Sequence, residues 1–331
     1  MKIVRMIKNF LFNREIRFNY IAKLSGYYPK MSDECYLKKC WKAKFGTELN
    51  LENPQSFNEK LQWLKINNRN PEYTRMVDKY EAKKYVSDRI GDDYIIPTFG
   101  VWENFDDIDF NELPNQLVLK CTHDSGGLVI VRDKSNFDVQ AAKKKINKYL
   151  KRKYFYEWRE WPYKNVKPRI IAEKYISDES SEKELTDYKF MCFNGKNECV
   201  FVCTERMSES GLKINIYDKD WNPLPFKRHY PKSDKEIDKP KSYKKMVSIA
   251  EKLAEKIPFL RVDFYEIDGQ IYFGELTFYP SAGFGEFNPE SWDKTLGDWL
   301  KLPDVYGGGV HMYRHFCRVV VASALWAAKA A

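Results

Sequence analysis

No apolar run in the 331 residues approaches the ~20 that a spanning helix needs, and no secretory leader pattern opens the chain. A membrane-embedded or exported protein is therefore not expected. The seven cysteines (Cys35, Cys40, Cys121, Cys192, Cys199, Cys203 and Cys317) include no CxxC pair. Cys199 and Cys203 have no partner pair at zinc spacing downstream, so reduced thiols in a cytosolic protein are the expectation. Internal repeats are also missing, as are the Walker phosphate loop and the Rossmann glycine fingerprint.

What is present suits a folded enzyme-sized protein. The chain exceeds the ~250–300 residues at which single cores stop growing, so two cores are expected. Hydrophobic residues at 43% against 31% charged exclude a disordered chain, and 16% aromatics supply large side chains for cores and pocket walls. The net charge of +9 favours an anionic partner (nucleotide phosphate, acidic polysaccharide, anionic lipid or nucleic acid) or is simply a solvated lysine-rich surface.

From Met1 to Leu24, Ile3, Met6, Ile7, Phe10 and Leu11 fall on one helical face among basic residues. Such a helix packs on the protein body or lies on an anionic membrane surface. Ser32 and Ser56 each open a further helix, and another is predicted from Tyr73 through Asp78-Lys79-Tyr80 to Val86. Short strands follow at Leu117–Lys120, Leu128–Val131, Ile170–Ile176, Tyr188–Phe193 and Glu198–Cys203, with a hairpin signal at Asn194-Gly195. Basic helix Asp138–Lys151 lies among them, helix Ser242–Lys256 follows them, and strands Leu260–Ile267 and Ile271–Phe278 flank an Asp268-Gly269 turn. Helices covering antiparallel strands make an α+β protein.

The last two strands carry the most chemistry. Side chains alternate along a strand, so Arg261 shares a face with Asp263, and Glu275 with Thr277. A three-residue loop with Gly269 left-handed brings all four to one side; a two-residue turn separates them. An odd loop is therefore expected if the carboxylates act together. Two carboxylates beside an arginine suit magnesium, which takes oxygen ligands, and equally suit an exposed ion-pair cluster. Upstream, Lys120 ends a strand and Ser125-Gly126-Gly127 follows, supplying a cation and loop amides for phosphate.

Seven stretches, in order, resemble an ATP-grasp enzyme of the TupA-like branch, associated with teichuronopeptide biosynthesis and bacterial cell-surface polysaccharide loci. They are MSDECYLKKCWKAKFG, LNLENPQSFNEKLQWLK, VDKYEAKKYV, LPNQLVLKCTHDSGG, EWPYKNVKPRIIAEKYI, DYKFMCFNGK and LRVDFYEIDGQIYFGELTFYPSAGF, running from about Met31 toward Leu302. The resemblance implies two α+β lobes with antiparallel sheets clamping ATP. With it go a helical region at 1–75, a lid lobe at 76–176 and a C-terminal lobe at 177–302 carrying the metal hairpin, while the apolar tail at 303–331 departs from the family and is unassigned. In that tail His311 and His315 stand four apart.

By the same resemblance, Lys79 and Lys120 hold ATP phosphates, and Ser125, Gly126 and Gly127 form the loop over them. Glu173, Lys174 and Ile176 read adenine, and Asp187 takes the ribose hydroxyls. Asp263 and Glu275 bind Mg2+, with Thr277 where the ligases carry asparagine, and Arg261 steadies the transferred phosphate. The implied reaction joins a carboxylate of an acidic sugar or amino acid to an amine acceptor through an acyl phosphate, without a protein nucleophile. His123 is a proton shuttle or a loop-fixing group. Nucleic acid is not an expected partner, and a cytoplasmic site is expected, with membrane contact reserved for the N-terminal helix. The rival readings are a glycosyltransferase, which calls for a parallel βαβ pattern not seen here, a phosphotransferase on the same fold, and a polyanion-binding protein.

Overall fold

The computed structural model describes residues 30–177, 185–206, 208–209 and 211–304, together with Arg17. The predicted helix at Met1–Leu24, Arg17 apart, and the tail from residue 305, with His311, His315 and Cys317, lie outside the described residues. Among the described residues no helix is long and apolar enough to cross a membrane.

The chain begins with helices whose caps are written in the sequence. Helix α1 (Asp33–Phe45) is capped by Ser32, which accepts from the Cys35 amide, and ends at left-handed Gly46. Helix α2 (Phe57–Asn67) starts with a reciprocal Ser56–Glu59 capping box. The single helix expected from Tyr73 to Val86 is in fact two, α3 (Glu72–Val77) and α4 (Glu81–Ile90). Asp78 causes the break: its Oδ1 accepts from the Tyr80 amide at 2.9 Å, offering the backbone a non-helical partner. The Lys79 amide then bonds the Thr122 carbonyl at 3.1 Å, tying this corner to the following sheet.

That sheet contains β1 (Thr98–Trp102), β2 (Leu117–Cys121), β3 (Leu128–Val131) and β4 (Ile170–Lys174), in the order β1-β4-β2-β3 with antiparallel neighbours. Helix α5 (Val139–Leu150), capped by Asp138, lays Ala142 and Ile146 on Leu117, Leu119, Ile170 and Ala172, which form the core beneath it. A short helix α6 (Phe155–Trp158) leads toward β4.

The second sheet contains β5 (Asp187–Phe193), β6 (Lys196–Thr204) and β7 (Lys213–Asp218), followed beyond the short strand β8 (Lys227–Arg228) by β9 (Phe259–Ile267) and β10 (Gln270–Thr277). Its order is β10-β9-β5-β6-β7, again antiparallel. Asn194 (φ 49°) and Gly195 (φ 83°) make the two-residue hairpin that the sequence signals. Helix α7 (Tyr243–Leu253) packs on β5 and β6 and buries Met246, Ile249, Ala250 and Leu253. Strand β11 (Phe287–Asn288) pairs with β8, and α8 (Ser291–Trp299) packs on α2. Strands β1, β7, β8 and β11 and helix α8 have no counterpart among the predicted elements.

The first helices also brace the end of β10. Tyr36, Leu37 and Trp41 of α1 pack with Ala282 and Phe284. Ser281, Ala282 and Gly283 all have φ between 52° and 65°, a left-handed run that needs external support. Gln62 and Lys65 supply it, bonding the Ala282 and Gly283 carbonyls at 2.7–3.2 Å.

Candidate active site

The hairpin β9–β10 does not follow the expected loop rule. Ile267 pairs with Gln270, so the turn is the two residues Asp268 (φ 50°) and Gly269 (φ 82°), not an odd number. Such a turn alone sets Glu275 on the wrong face. A bulge corrects it: pairing runs to Phe273–Phe264, skips Gly274, and resumes as Glu275–Asp263 and Thr277–Arg261. Gly274 fits because a Cβ there would lie 3.1 Å from the Asp263 carbonyl and 3.4 Å from its Cβ. The carboxylates thus share a face by an inserted residue, while Val262 and Leu276 pair on the buried side.

Across the sheet the same row continues. Lys189 on β5 is the register partner of Asp263, so Lys189, Asp263 and Glu275 stand side by side on three strands. Lys189 Nζ lies 2.5 Å from Asp263 Oδ2 and 2.6 Å from Asp187 Oδ2. Arg261 donates from Nε to Asp263 Oδ1 at 2.7 Å, and from Nη2 to Asp263 Oδ2 at 2.6 Å and Glu275 Oε1 at 2.5 Å. Thr277 Oγ1 donates to Glu275 Oε1 at 3.2 Å.

Burial works against ionisation of Glu275, yet the charges of Arg261, Lys189 and Lys79 hold its carboxyl down at about 2. Asp263 is deeper: burial pushes its carboxyl up against the pull of Arg261 and Lys189. Burial disfavours the Lys189 ammonium, but Asp263 and Asp187 overcome it and keep the group charged.

This row forms one wall of a cleft of about 500 Å³ between the two sheets. The opposite wall brings Lys79, Lys120, Ser125, Gly126, Gly127, Glu173, Lys174 and Ile176 to the same space, and Asp187 joins from β5. Every predicted site residue therefore borders the cleft except Arg261 and Thr277, which sit behind Asp263 and Glu275. Seven basic side chains face five acidic ones around it, a surplus of positive charge suited to polyphosphate.

Lys79 Nζ donates to the Asp124 carbonyl at 2.5 Å, which its position at the α3–α4 break allows. The amides of Ser125 and Gly126 donate to no backbone carbonyl among the described residues, and Gly126 has φ 107°. His123 is buried, lies outside the cleft lining, and sets Nε2 3.1 Å from the Arg152 carbonyl, so it fixes the loop. Its pKa is lowered by burial, with Asp124 pulling the other way.

Glu173, expected at the adenine end, is buried with Lys83 Nζ 2.6 Å from Oε1 and Lys120 Nζ against Oε2. Burial pushes its carboxyl up, and the two lysines more than offset this, holding it below the usual carboxylate range. Asp187, expected on ribose, takes Lys189 and, at 3.1 Å, Arg206. Lys83, Lys189 and Arg206 are cleft residues that motif reading did not single out. For Lys189 a signal existed, since it shares a strand face with Asp187.

Magnesium fits the donors at the hairpin, which are all oxygen. Glu275 Oε2 accepts no hydrogen bond among the described residues, and 45% of that side chain is exposed. Asp263 keeps lone-pair capacity beside its bonds to Arg261 and Lys189.

A cleft between two antiparallel sheets, with lysines and a glycine loop on one side and a carboxylate hairpin on the other, is the arrangement of an ATP-grasp protein. The chain belongs to the TupA-like ATP-grasp family, whose profile matches residues 59–301. No curated protein matches it. Similar solved structures include D-alanine–D-alanine ligase from Bacillus anthracis complexed with ATP, at 17% identity over 62% of this chain and 54% of that one, TM-score 0.36. D-alanine–D-alanine ligase from Helicobacter pylori is similar at 14% identity over 69% and 61%, TM-score 0.39. The ATP-grasp ligase PsnB, complexed with minimal precursor, Mg and ADP, is similar at 8% identity over 67% and 57%, TM-score 0.37. The chain thus spans just over half the length of these proteins.

Proposed function

We propose that this protein is an ATP- and magnesium-dependent ligase that joins a carboxylate to an amine through an acyl phosphate. The substrate class is an acidic sugar or amino acid, and the setting is bacterial cell-surface polysaccharide or teichuronopeptide synthesis. The observation that carries this reading is the row Lys189–Asp263–Glu275, backed by Arg261 and facing Lys79, Lys120 and the Ser125–Gly127 loop across one cleft. In this reading residues 76–176 and 177–302 are the two lobes of the clamp.

Each side chain has a defined task. Lys79, Lys120, Lys189 and the Ser125 and Gly126 amides neutralise and orient the phosphates, which is where catalysis of phosphoryl transfer lies. Asp263 and Glu275, with Thr277 behind, would hold magnesium, which supplies charge neutralisation at the transferred phosphate. Arg261 fixes both carboxylates in place and adds positive charge behind the reacting oxygens. Glu173, Lys174 and Ile176 border the adenine end and Asp187 the ribose. No side chain is asked to become a nucleophile.

The test is ADP release in the presence of candidate acids, with hydroxylamine capturing the acyl phosphate. Glu275→Ala is expected to lose at least about a hundredfold in turnover while staying folded by circular dichroism. Sugar-nucleotide turnover without ATP overturns the ligase reading. ADP release without a hydroxylamine adduct moves the assignment to a phosphotransferase.

A further inference from the structure

Two lysines meet one buried carboxylate at the cleft wall, and they are not equivalent. Lys83, on α4, is tied to the frame: its Nζ donates to the Ile96 carbonyl at 2.5 Å and lies 2.6 Å from Glu173 Oε1 as an ion pair. Only 12% of its side chain is exposed. Lys120, at the end of β2, has Glu173 Oε2 as its one ion-pair partner among the described residues and is 26% exposed. Both lysines border the cleft, but only Lys83 has a second tie, to the Ile96 carbonyl. Glu173 thus has one partner anchored to the frame and one, more exposed, that is held by Glu173 alone among the described residues.

We propose that Lys83 is a positioning residue that makes Lys120 transferable, by keeping Glu173 neutralised when Lys120 leaves it for an entering polyphosphate. Stranding a buried carboxylate without a cation is strongly unfavourable, because the lost hydration is not replaced. With Lys83 in place, Lys120 swings to phosphate and Glu173 retains a paired ammonium. Without Lys83, Lys120 is the sole counter-ion and is held back on Glu173. The two-to-one charge ratio around Glu173 is then a reserve of positive charge that the ligand claims. This inference rests on the nucleotide reading of the cleft.

The experiment is a double-mutant cycle read by binding of a fluorescent N-methylanthraniloyl ATP with magnesium, and by KM for ATP. Lys83→Met is expected to weaken nucleotide binding at least about tenfold, with the loss in KM more than in kcat. In the Glu173→Gln background the same change is expected to have almost no effect, since no buried charge remains to strand. Lys83→Arg, which keeps the cation, is expected to restore affinity. If Lys83→Met does not fold, Lys83→Gln enters the same cycle. Unchanged affinity in the single variant overturns the proposal. An equally large loss in the Glu173→Gln background also overturns it and makes Lys83 a direct phosphate contact. Failure of the wild-type protein to bind the nucleotide instead sinks the nucleotide reading itself.

Discussion

Glu275 illustrates how much of the site's electrostatics is decided one side chain at a time. Its carboxyl stays ionised because Arg261, Lys189 and Lys79 outweigh burial, with the folded value at about 2 against an ordinary value near ~4.3. A depressed carboxyl stabilises the folded state above the unfolded value and loses that contribution as pH falls toward the folded one. The stability gap between wild type and Glu275→Gln is therefore expected to hold steady from pH 8 to 5 and to narrow between about pH 4.3 and 2. Urea midpoints across that range check it, and a gap that grows on acidification contradicts it. The side chain is 45% exposed, so solvent screening keeps the effect modest. At this scale the sequence is informative for groups with an ordered motif around them, such as Lys79 in VDKY. It is silent on Lys83 and Arg206, because their roles depend on which carboxylate the fold delivers to them.

At the scale of elements, the hairpin shows what a period of two can and cannot determine. Alternation correctly joins Arg261 with Asp263 and Glu275 with Thr277, but it leaves the relative facing of the two strands to the connection. The Asp268-Gly269 turn is the tight one that its residues demand, and the missing offset comes from Gly274. An isolated glycine within a strand is itself a bulge signal, so this offset was readable in YFGELT. Deleting Gly274 sets Glu275 directly after Phe273 and opposite Asp263 in a regular ladder, so the facing and measurable magnesium-dependent turnover are expected to survive. Gly274→Val, whose Cβ would crowd the Asp263 carbonyl, is expected to lower turnover instead. Loss of turnover in the deletion variant while the fold survives would show that the bulge provides more than the facing. The broken helix at Asp78 teaches the same lesson from another side. Periodicity runs through Tyr73–Val86, but one aspartate bonding its own downstream amides stops the helix and aims Lys79 at the loop.

For the whole molecule, the legible part was the order of its motifs, and the illegible part was pairing between distant strands. Sheet order β10-β9-β5-β6-β7 puts Lys189 beside Asp263, 74 residues apart in sequence, and no local pattern encodes that. Edge strands such as β1 and β7 escaped because their burial depends on neighbours from elsewhere in the chain. If two lobes clamp nucleotide, binding stabilises the assembly as a unit. Saturation with Mg-ATP at about a hundred times Kd adds ~2.7 kcal/mol, expected to raise the melting temperature by roughly 5 °C. Differential scanning fluorimetry checks this, with Glu275→Ala expected to lose most of the magnesium-dependent part.

The Gly274 bulge also constrains how this hairpin can change over generations. The bulge absorbs one extra residue without turning either carboxylate over, so loss of that residue leaves the facing intact, whereas keeping it in an unbulged strand after a two-residue turn reverses the facing. Among relatives with a two-residue turn, this strand should therefore either be one residue shorter or carry a small residue at the bulge. A family alignment with bulky residues there and the same length would mean that selection does not act on the facing of these carboxylates.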